Sequence, residues 1–226
     1  VRTIGVLGGM GPEATIALMA RVVAAVDASD DADHIPLIVD QNTQVPSRIK
    51  ALIEGTGESP GPVLGEMAAR LEAAGAEALV MACNTAHHYA DAITSRAGIP
   101  FLNIVDLSVR AAVARSDGAI GVLASPAVAQ VGLYDDVVQA AGREILHPDG
   151  DAALAVIKAV KAEGPTADAA RALEAVAQGL AEKGAATQIV ACTEYSLLLE
   201  QIYVPDVTLI DAMDVLVDEI VAFAKG

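Results

Sequence analysis

The chain has 226 residues, of which 54% are hydrophobic and 19% charged, with a formal net charge of -16 from 30 acidic against 14 Lys and Arg residues. That apolar content supports a packed core and excludes disorder, and the acidity excludes a phosphate-backbone binder, which needs a basic face. No apolar run approaches the roughly 20 residues that span a bilayer, so neither nucleic acid nor membrane is an expected partner.

The opening Thr3–Leu7 reads as a strand rather than as a leader with a charged start and cleavage site. The expected compartment is therefore the cytoplasm, where the two cysteines stay as thiols. Next comes the turn Gly8–Pro12 and a helix over Pro12–Ala28, then a strand over Ile35–Asp40. Ser47–Pro62, punctuated by Gly, Pro and Ser, reads as a mobile loop after a short helix. A helix at Gly61–Ala74 leads to a strand at Ala78–Met81, a helix at Ala86–Ala97, a strand at Phe101–Asn103 and a helix at Asp106–Ala114. The second half offers strands at Ala119–Leu123, Glu144–Leu146, Gln188–Val190 and Thr208–Leu209. Its helices are expected at Ala127–Ala141, Ala152–Ala162, Ala167–Lys183 and Met213–Lys225. Short β-branched runs alternating with Ala-rich helices predict an α/β fold with mainly parallel sheets.

The two halves echo each other. Leu71–Cys83 and Leu180–Cys192 share Leu, Gly, Ala, Ala and Cys at matching positions, 109 residues apart. Thr3–Gly8 resembles Ala119–Ala124, and Pro100–Asp106 resembles Pro205–Asp211. Three echoes in the same order indicate duplication. They predict two pseudo-symmetric lobes, each a mainly parallel sheet flanked by helices, with the active site in the cleft between them. The first lobe is expected over residues 1–98 plus 207–226 and the second over 99–206, the tail repeating the Phe101–Arg110 element and packing back on the first lobe.

Both repeats end in cysteine just past a strand, where ligands bind in open parallel sheets. Polar residues follow each thiol: Asn84 and Thr85 after Cys83, Thr193 and Glu194 after Cys192. If these open helices, the free N–H groups and positive dipole end favour a thiolate and also hold a carboxylate. Two such thiols suit inversion of a carbon centre, one removing a proton as thiolate while the other delivers one. Asn84, Thr85, Thr193 and adjacent backbone N–H groups are the candidate donors for developing charge, and N-capping is an ordinary role for Asn and Thr as well.

Two other readings arise from the same residues. Gly9, Gly11 and Ala14 after a strand, with Asp40 ending the next, fit a dinucleotide-binding pattern, but that reading leaves paired cysteines unexplained. Cys83 and His87 have a metal-ligand spacing, yet the second half does not repeat the histidine and nothing completes a site. His87 is expected to serve structure, and no metal is expected.

The combination of Gly8–Pro12, Cys83–His87 and Ala191–Glu194 resembles the aspartate/glutamate racemase superfamily over essentially the whole chain, the first motif most like its aspartate racemase branch. The resemblance implies facing cysteines across an interlobe cleft, no cofactor, a homodimer and an acidic amino-acid substrate, aspartate or also glutamate. It implies that Cys83 acts on the D-enantiomer and Cys192 on the L-enantiomer, with Met10 in the substrate-binding turn. Gln44–Arg48 resembles the segment whose arginine meets the side-chain carboxylate. Val160–Gly164 resembles the segment with a second cation, which assigns Lys161, although one extra residue precedes the glycine and Lys158 lies one turn earlier. Ser125 matches a position, often Thr in relatives, that helps hold the α-carboxylate. Hydantoin racemase and maleate isomerase are the alternatives within the superfamily.

Overall fold

The computed structural model describes all residues, Val1–Gly226. The chain divides into two compact units, Val1–Leu107 with Asp214–Gly226, and Ser108–Met213. The first contains β1 (Ile4–Gly8), α1 (Pro12–Ala24), β2 (Leu37–Gln41), α2 (Arg48–Leu52), α3 (Gly61–Ala73), β3 (Ala78–Val80) and α4 (Ala90–Thr94). Helix α5 (Ile104–Val113) carries the chain into the second unit. There follow β4 (Ile120–Ala124), α6 (Pro126–Gln130), α7 (Asp135–Ala140), β5 (Ile145–Leu146), α8 (Gly150–Glu163), α9 (Ala167–Glu182), β6 (Thr187–Ala191), α10 (Thr193–Ser196) and β7 (Thr208–Asp211). Helix α11 (Ala212–Lys225) returns to the first unit.

Both sheets are parallel and have the same order, β2-β1-β3 in one and β5-β4-β6-β7 in the other. Strands β1, β4 and β6 are buried along their whole length. Burial on both faces explains why β1 and β4 read as apolar runs rather than alternating ones, while β6 buries Thr187 and Gln188 ahead of its apolar residues. In the first unit Leu64, Met67 and Leu71 of α3 pack with Leu7, Leu79 and Met81. In the second, Val156, Ile157 and Val160 of α8 and Leu173, Ala177 and Leu180 of α9 pack with Leu123 and Val190.

The repeated sequence folds into a repeated joint. After α3, Gly75 adopts φ 101° and the Ala76 N–H reaches back to the Leu71 carbonyl at 3.0 Å. After α9, Gly184 adopts φ 105° and the Ala185 N–H reaches the Leu180 carbonyl at 3.0 Å. Each is a glycine-terminated helix end that turns the chain into a strand. The neighbouring strand closes the joint. A Cβ on Gly5 would meet Ala76 Cβ at 2.8 Å, Leu79 Cδ2 and Leu71 Cβ. One on Gly121 would meet Gln188 Cγ at 2.9 Å, Ala185 Cβ and Leu180 Cδ1. The matched residues of the two repeats thus do the same packing work.

Several expected boundaries move. Phe101–Asn103 contributes only a single bridge, Phe101 to Leu79, at the place in the first sheet where β7 lies in the second. That bridge keeps residues 99–107 in the first unit, so the expected break after residue 98 falls at Leu107. The tail does not act as one piece. Its strand β7 pairs with β6, while α11 belongs to the first unit, where Arg21 ion-pairs with Asp214 at 2.6 Å and Arg2 donates to the Phe223 carbonyl at 3.0 Å. The second break therefore lies after Met213 rather than after Asp206. The expected helix at Ala127–Ala141 is two, interrupted at Gly132 with φ 63°. Ala86–Ala97 begins as a 3₁₀ turn over Thr85–Tyr89 before α4.

Candidate active site

In the first unit, three elements converge at the carboxyl end of the sheet. Gly9, after β1, has φ 92°, and a Cβ there would lie 2.5 Å from the Asn42 backbone after β2. Its N–H is held by Thr15 Oγ1 at 2.9 Å. This tight turn buries Met10 in the cluster that contains Val45 and Ala86, and Cys83 packs against the same cluster. Arg48 opens α2, whose N-cap Ser47 accepts from the Lys50 N–H. The partly buried guanidinium donates to the Pro46 carbonyl at 3.1 Å, and its charge acts on the nearby Cys83 thiol.

Burial pushes the Cys83 thiol up from its ordinary value. The Arg48 charge, with the Ala86 and Thr85 N–H groups, pulls the other way without overturning that shift. Beneath it lies His87, 4% exposed. Its Nδ1 is 2.8 Å from the Cys83 carbonyl, and its Nε2 receives the Ile104 N–H at 3.4 Å. Nδ1 therefore carries the proton, and Phe101 stacks on the ring at 5.2 Å. Burial lowers its pKa to about 4, so the imidazole is neutral and pins the Cys83 backbone to the start of α5. Both ring nitrogens are spent on the backbone.

In the second unit, β4 and β6 run side by side with Ala124 opposite Ala191. Ser125 and Cys192 consequently follow the ends of adjacent strands. Ser125 precedes α6, and its hydroxyl makes no capping bond there. Cys192 is the N-cap of the four-residue α10. Its Sγ donates to Glu194 Oε2 at 3.0 Å, and Thr193 Oγ1 donates to the same oxygen at 3.2 Å. Lys161 Nζ, from α8, lies 3.4 Å from Glu194 Oε1. Tyr195, buried, donates its hydroxyl to the Ala153 carbonyl at 2.8 Å and so ties α10 to α8.

Burial raises the Cys192 thiol well above its ordinary range, and the Glu194 charge and hydrogen bond raise it further. The N–H groups of Glu194 and Tyr195 oppose the shift more weakly. For Glu194 burial works upward too, but the Cys192 hydrogen bond, its own N–H, Lys161 and Thr193 together hold the carboxyl below its usual range.

The structure thus gathers Met10, Arg48, Cys83, Asn84 and Thr85 at one strand end, and Ser125, Lys161, Cys192 and Thr193 at the other. One expectation fails. Neither thiol is lowered by a helix dipole, because Cys83 precedes the Asn84 cap of a 3₁₀ turn, α10 is a single turn, and burial outweighs the local N–H groups. Lys161 is not an unpaired cation here: Glu194 is its partner, although Lys161, like Lys158, is exposed. The residue whose role sequence reasoning missed is Glu194. Its signal was the break in the repeat, since the position matching it after Cys83 is Thr85. As for the dinucleotide pattern, Asp40 is ion-paired with Arg70 at 2.7 Å.

The Asp/Glu/Hydantoin racemase family model matches residues 7–220. The chain is 28% identical over 159 residues to the broad specificity amino-acid racemase RacX of Bacillus subtilis, covering 65% of this chain and 64% of that protein. It is 31% identical over 135 residues to a glutamate racemase of Deinococcus radiodurans, covering 58% of this chain and 46% of the relative. The chain thus spans about half to two thirds of the length of these curated relatives. Among solved structures, the Picrophilus torridus aspartate racemase superposes with a TM-score of 0.85 at 27% identity, covering 100% of this chain and 95% of the other. With residues 7–220 matched by the family model, the chain belongs to the Asp/Glu/hydantoin racemase family.

Proposed function

We propose that this protein is an amino-acid racemase that interconverts L- and D-aspartate, or also glutamate, without pyridoxal phosphate or metal. Cys83 as thiolate takes the Cα proton of the D-enantiomer while Cys192 as thiol supplies one, and the roles exchange for the L-enantiomer. The observation that carries the reading is the repeated joint, which delivers a single thiol to the end of each sheet and gives the two thiols partners of opposite charge: Arg48 beside Cys83 and Glu194 beside Cys192. A symmetric exchange of one proton needs such a pair of acid–base groups.

Met10 and Ser125 line the substrate's surroundings in this reading, the backbone N–H groups near Asn84, Thr85 and Thr193 bind the α-carboxylate, and Arg48 and Lys161 take the acidic side chain. Family membership supports a cytoplasmic homodimer as well, for which light scattering should give twice the 23.0 kDa of the chain. The main test is substitution. Cys83→Ser and Cys192→Ser should each abolish racemisation of aspartate while circular dichroism stays native. Full activity in either variant would remove the two-base scheme.

A further inference from the structure

The duplicated halves differ most where their thiols find partners. The first repeat continues from its cysteine into Asn84 and Thr85, the second into Thr193 and Glu194. Around Cys192, α10 contributes Glu194, Thr193 and the Tyr195 hydroxyl, which is committed to the Ala153 carbonyl. Helix α8 contributes Lys161, and β7 ends in Asp211, whose carboxylate receives the Ser196 hydroxyl and the Met213 N–H. Glu194 alone touches the thiol with a charged atom. Its Oε2 takes the Sγ–H, and the exposed Lys161 lies 3.4 Å from its Oε1, so the carboxylate has a partner on each oxygen.

We propose that Glu194 is a positioning residue that keeps the proton on Cys192 in the substrate-free enzyme, so that the two cysteines rest in unequal states, Cys83 as the readier thiolate and Cys192 as the thiol. The proposal rests on the two-base reading for its catalytic meaning, but not for its test. An ionised carboxylate 3.0 Å from sulfur cannot accept a thiol hydrogen bond once the proton is gone, and two like charges would then share a site. Cys83 has the opposite neighbour, the Arg48 guanidinium, whose positive charge favours the thiolate once the proton leaves. Lys161 gives the device a link to substrate. In the free protein it balances Glu194, and an acidic side chain drawn to Lys161 competes for that charge.

Enantiomers are equal in energy, so kcat/KM must be the same in both directions whatever the resting proton distribution. The asymmetry therefore shows in the split between kcat and KM for the two enantiomers and in the chemistry of the thiols themselves.

The experiment is alkylation of the full chain by iodoacetamide across a pH series, with the rate at each cysteine read separately by peptide mass spectrometry. In the wild type, the Cys192 inflection should lie above that of Cys83. Glu194→Gln should lower the Cys192 inflection by about one pH unit or more, speeding its alkylation near neutral pH by about tenfold, and should leave Cys83 unchanged. Glu194→Asp, which keeps the charge on a shorter arm, should fall between. A wild-type Cys192 that titrates at or below Cys83 overturns the proposal without any variant, as does an unmoved inflection in folded Glu194→Gln. Racemisation measured on the same samples separates the two claims. A shifted inflection without racemase activity rejects the proposed function alone, and racemisation with unshifted thiols rejects the role of Glu194 alone.

Discussion

At Arg48 a single guanidinium lies beside the Cys83 thiol and is also the cation proposed for the substrate's side-chain carboxylate. The two roles move different measurements. Losing one partner of a desolvated charge pair costs about 2–5 kcal/mol, so Arg48→Ala should cut kcat/KM for aspartate by a factor of roughly tens to thousands. The loss on alanine should be much smaller, and Arg48→Lys should restore only part because the planar fork is gone. Independently of substrate, removing the cation should raise the pH at which Cys83 becomes alkylated, since its charge favours the thiolate. An unchanged aspartate value in Arg48→Ala would make Arg48 a thiol partner only. His87 offers a second test, in stability. Its folded pKa of about 4 lies below the ordinary 6.5, so the folded state resists protonation. Its contribution is complete above pH 6.5 and is lost as pH falls toward about 4, by about 3 kcal/mol in all. Chemical denaturation of His87→Gln should show a flatter pH dependence than wild type across that window. Equal slopes would mean that His87 takes up a proton in the fold as readily as in the unfolded chain.

At the scale of elements, the prediction concerns the joint that delivers each cysteine. Gly5 and Gly121 occupy equivalent sites, where an added methyl group meets the Ala76 and Ala185 side chains at 2.8 and 3.2 Å. Overpacking of this kind costs about 1–3 kcal/mol, so Gly5→Ala and Gly121→Ala should each destabilise the fold by that order in urea titration. Gly121 has no easier escape than Gly5, because its nearest neighbour, Gln188 Cγ, belongs to a buried side chain whose amide is held by the Ala177 and Ala185 carbonyls at 2.8 and 2.9 Å. Neutral substitutions at both would contradict the close approach of strand and helix end. These joints explain what was readable beforehand. The Leu, Gly and Ala of each repeat are packing and turn residues with fixed spacing, so the strands, the flanking helices and the place of both thiols were visible as pattern. The Phe101 segment read as a full strand because its composition matches β7, yet it makes one bridge only. The 3₁₀ turn after Cys83 was read as a helix start because capping residues look alike before either.

Across the whole molecule, composition and duplication carried the fold, and tertiary burial decided what they could not. The direction of both thiol shifts depends on how deeply each sulfur lies and on which side chain meets it, and neither quantity is periodic in the sequence. Glu194 was named only as a polar residue after Cys192 for that reason: the sequence does not say which side chain its carboxylate meets. Net charge contributes at this scale also. With an excess of 16 negative charges, the protein repels an acidic substrate at long range, so added salt should raise kcat/KM for aspartate while leaving that for alanine nearly constant. A fall for aspartate would show that local attraction by Arg48 and Lys161 dominates the encounter. Substrate-protected loss of activity on thiol alkylation, with activity retained in chelator and hydroxylamine, is expected from chemistry that resides in the two cysteines.

The central claim is that two separate groups handle the departing and arriving protons. Following the Cα hydrogen by proton NMR in D₂O, starting from L-aspartate at low conversion, tests it most directly. Two bases predict D-aspartate that carries deuterium at Cα while the remaining L-aspartate keeps its protium, because the group that removes the proton is not the one that delivers the deuteron. Deuterium appearing equally in product and recovered substrate from the start would mean that one group serves both faces, and would contradict the account.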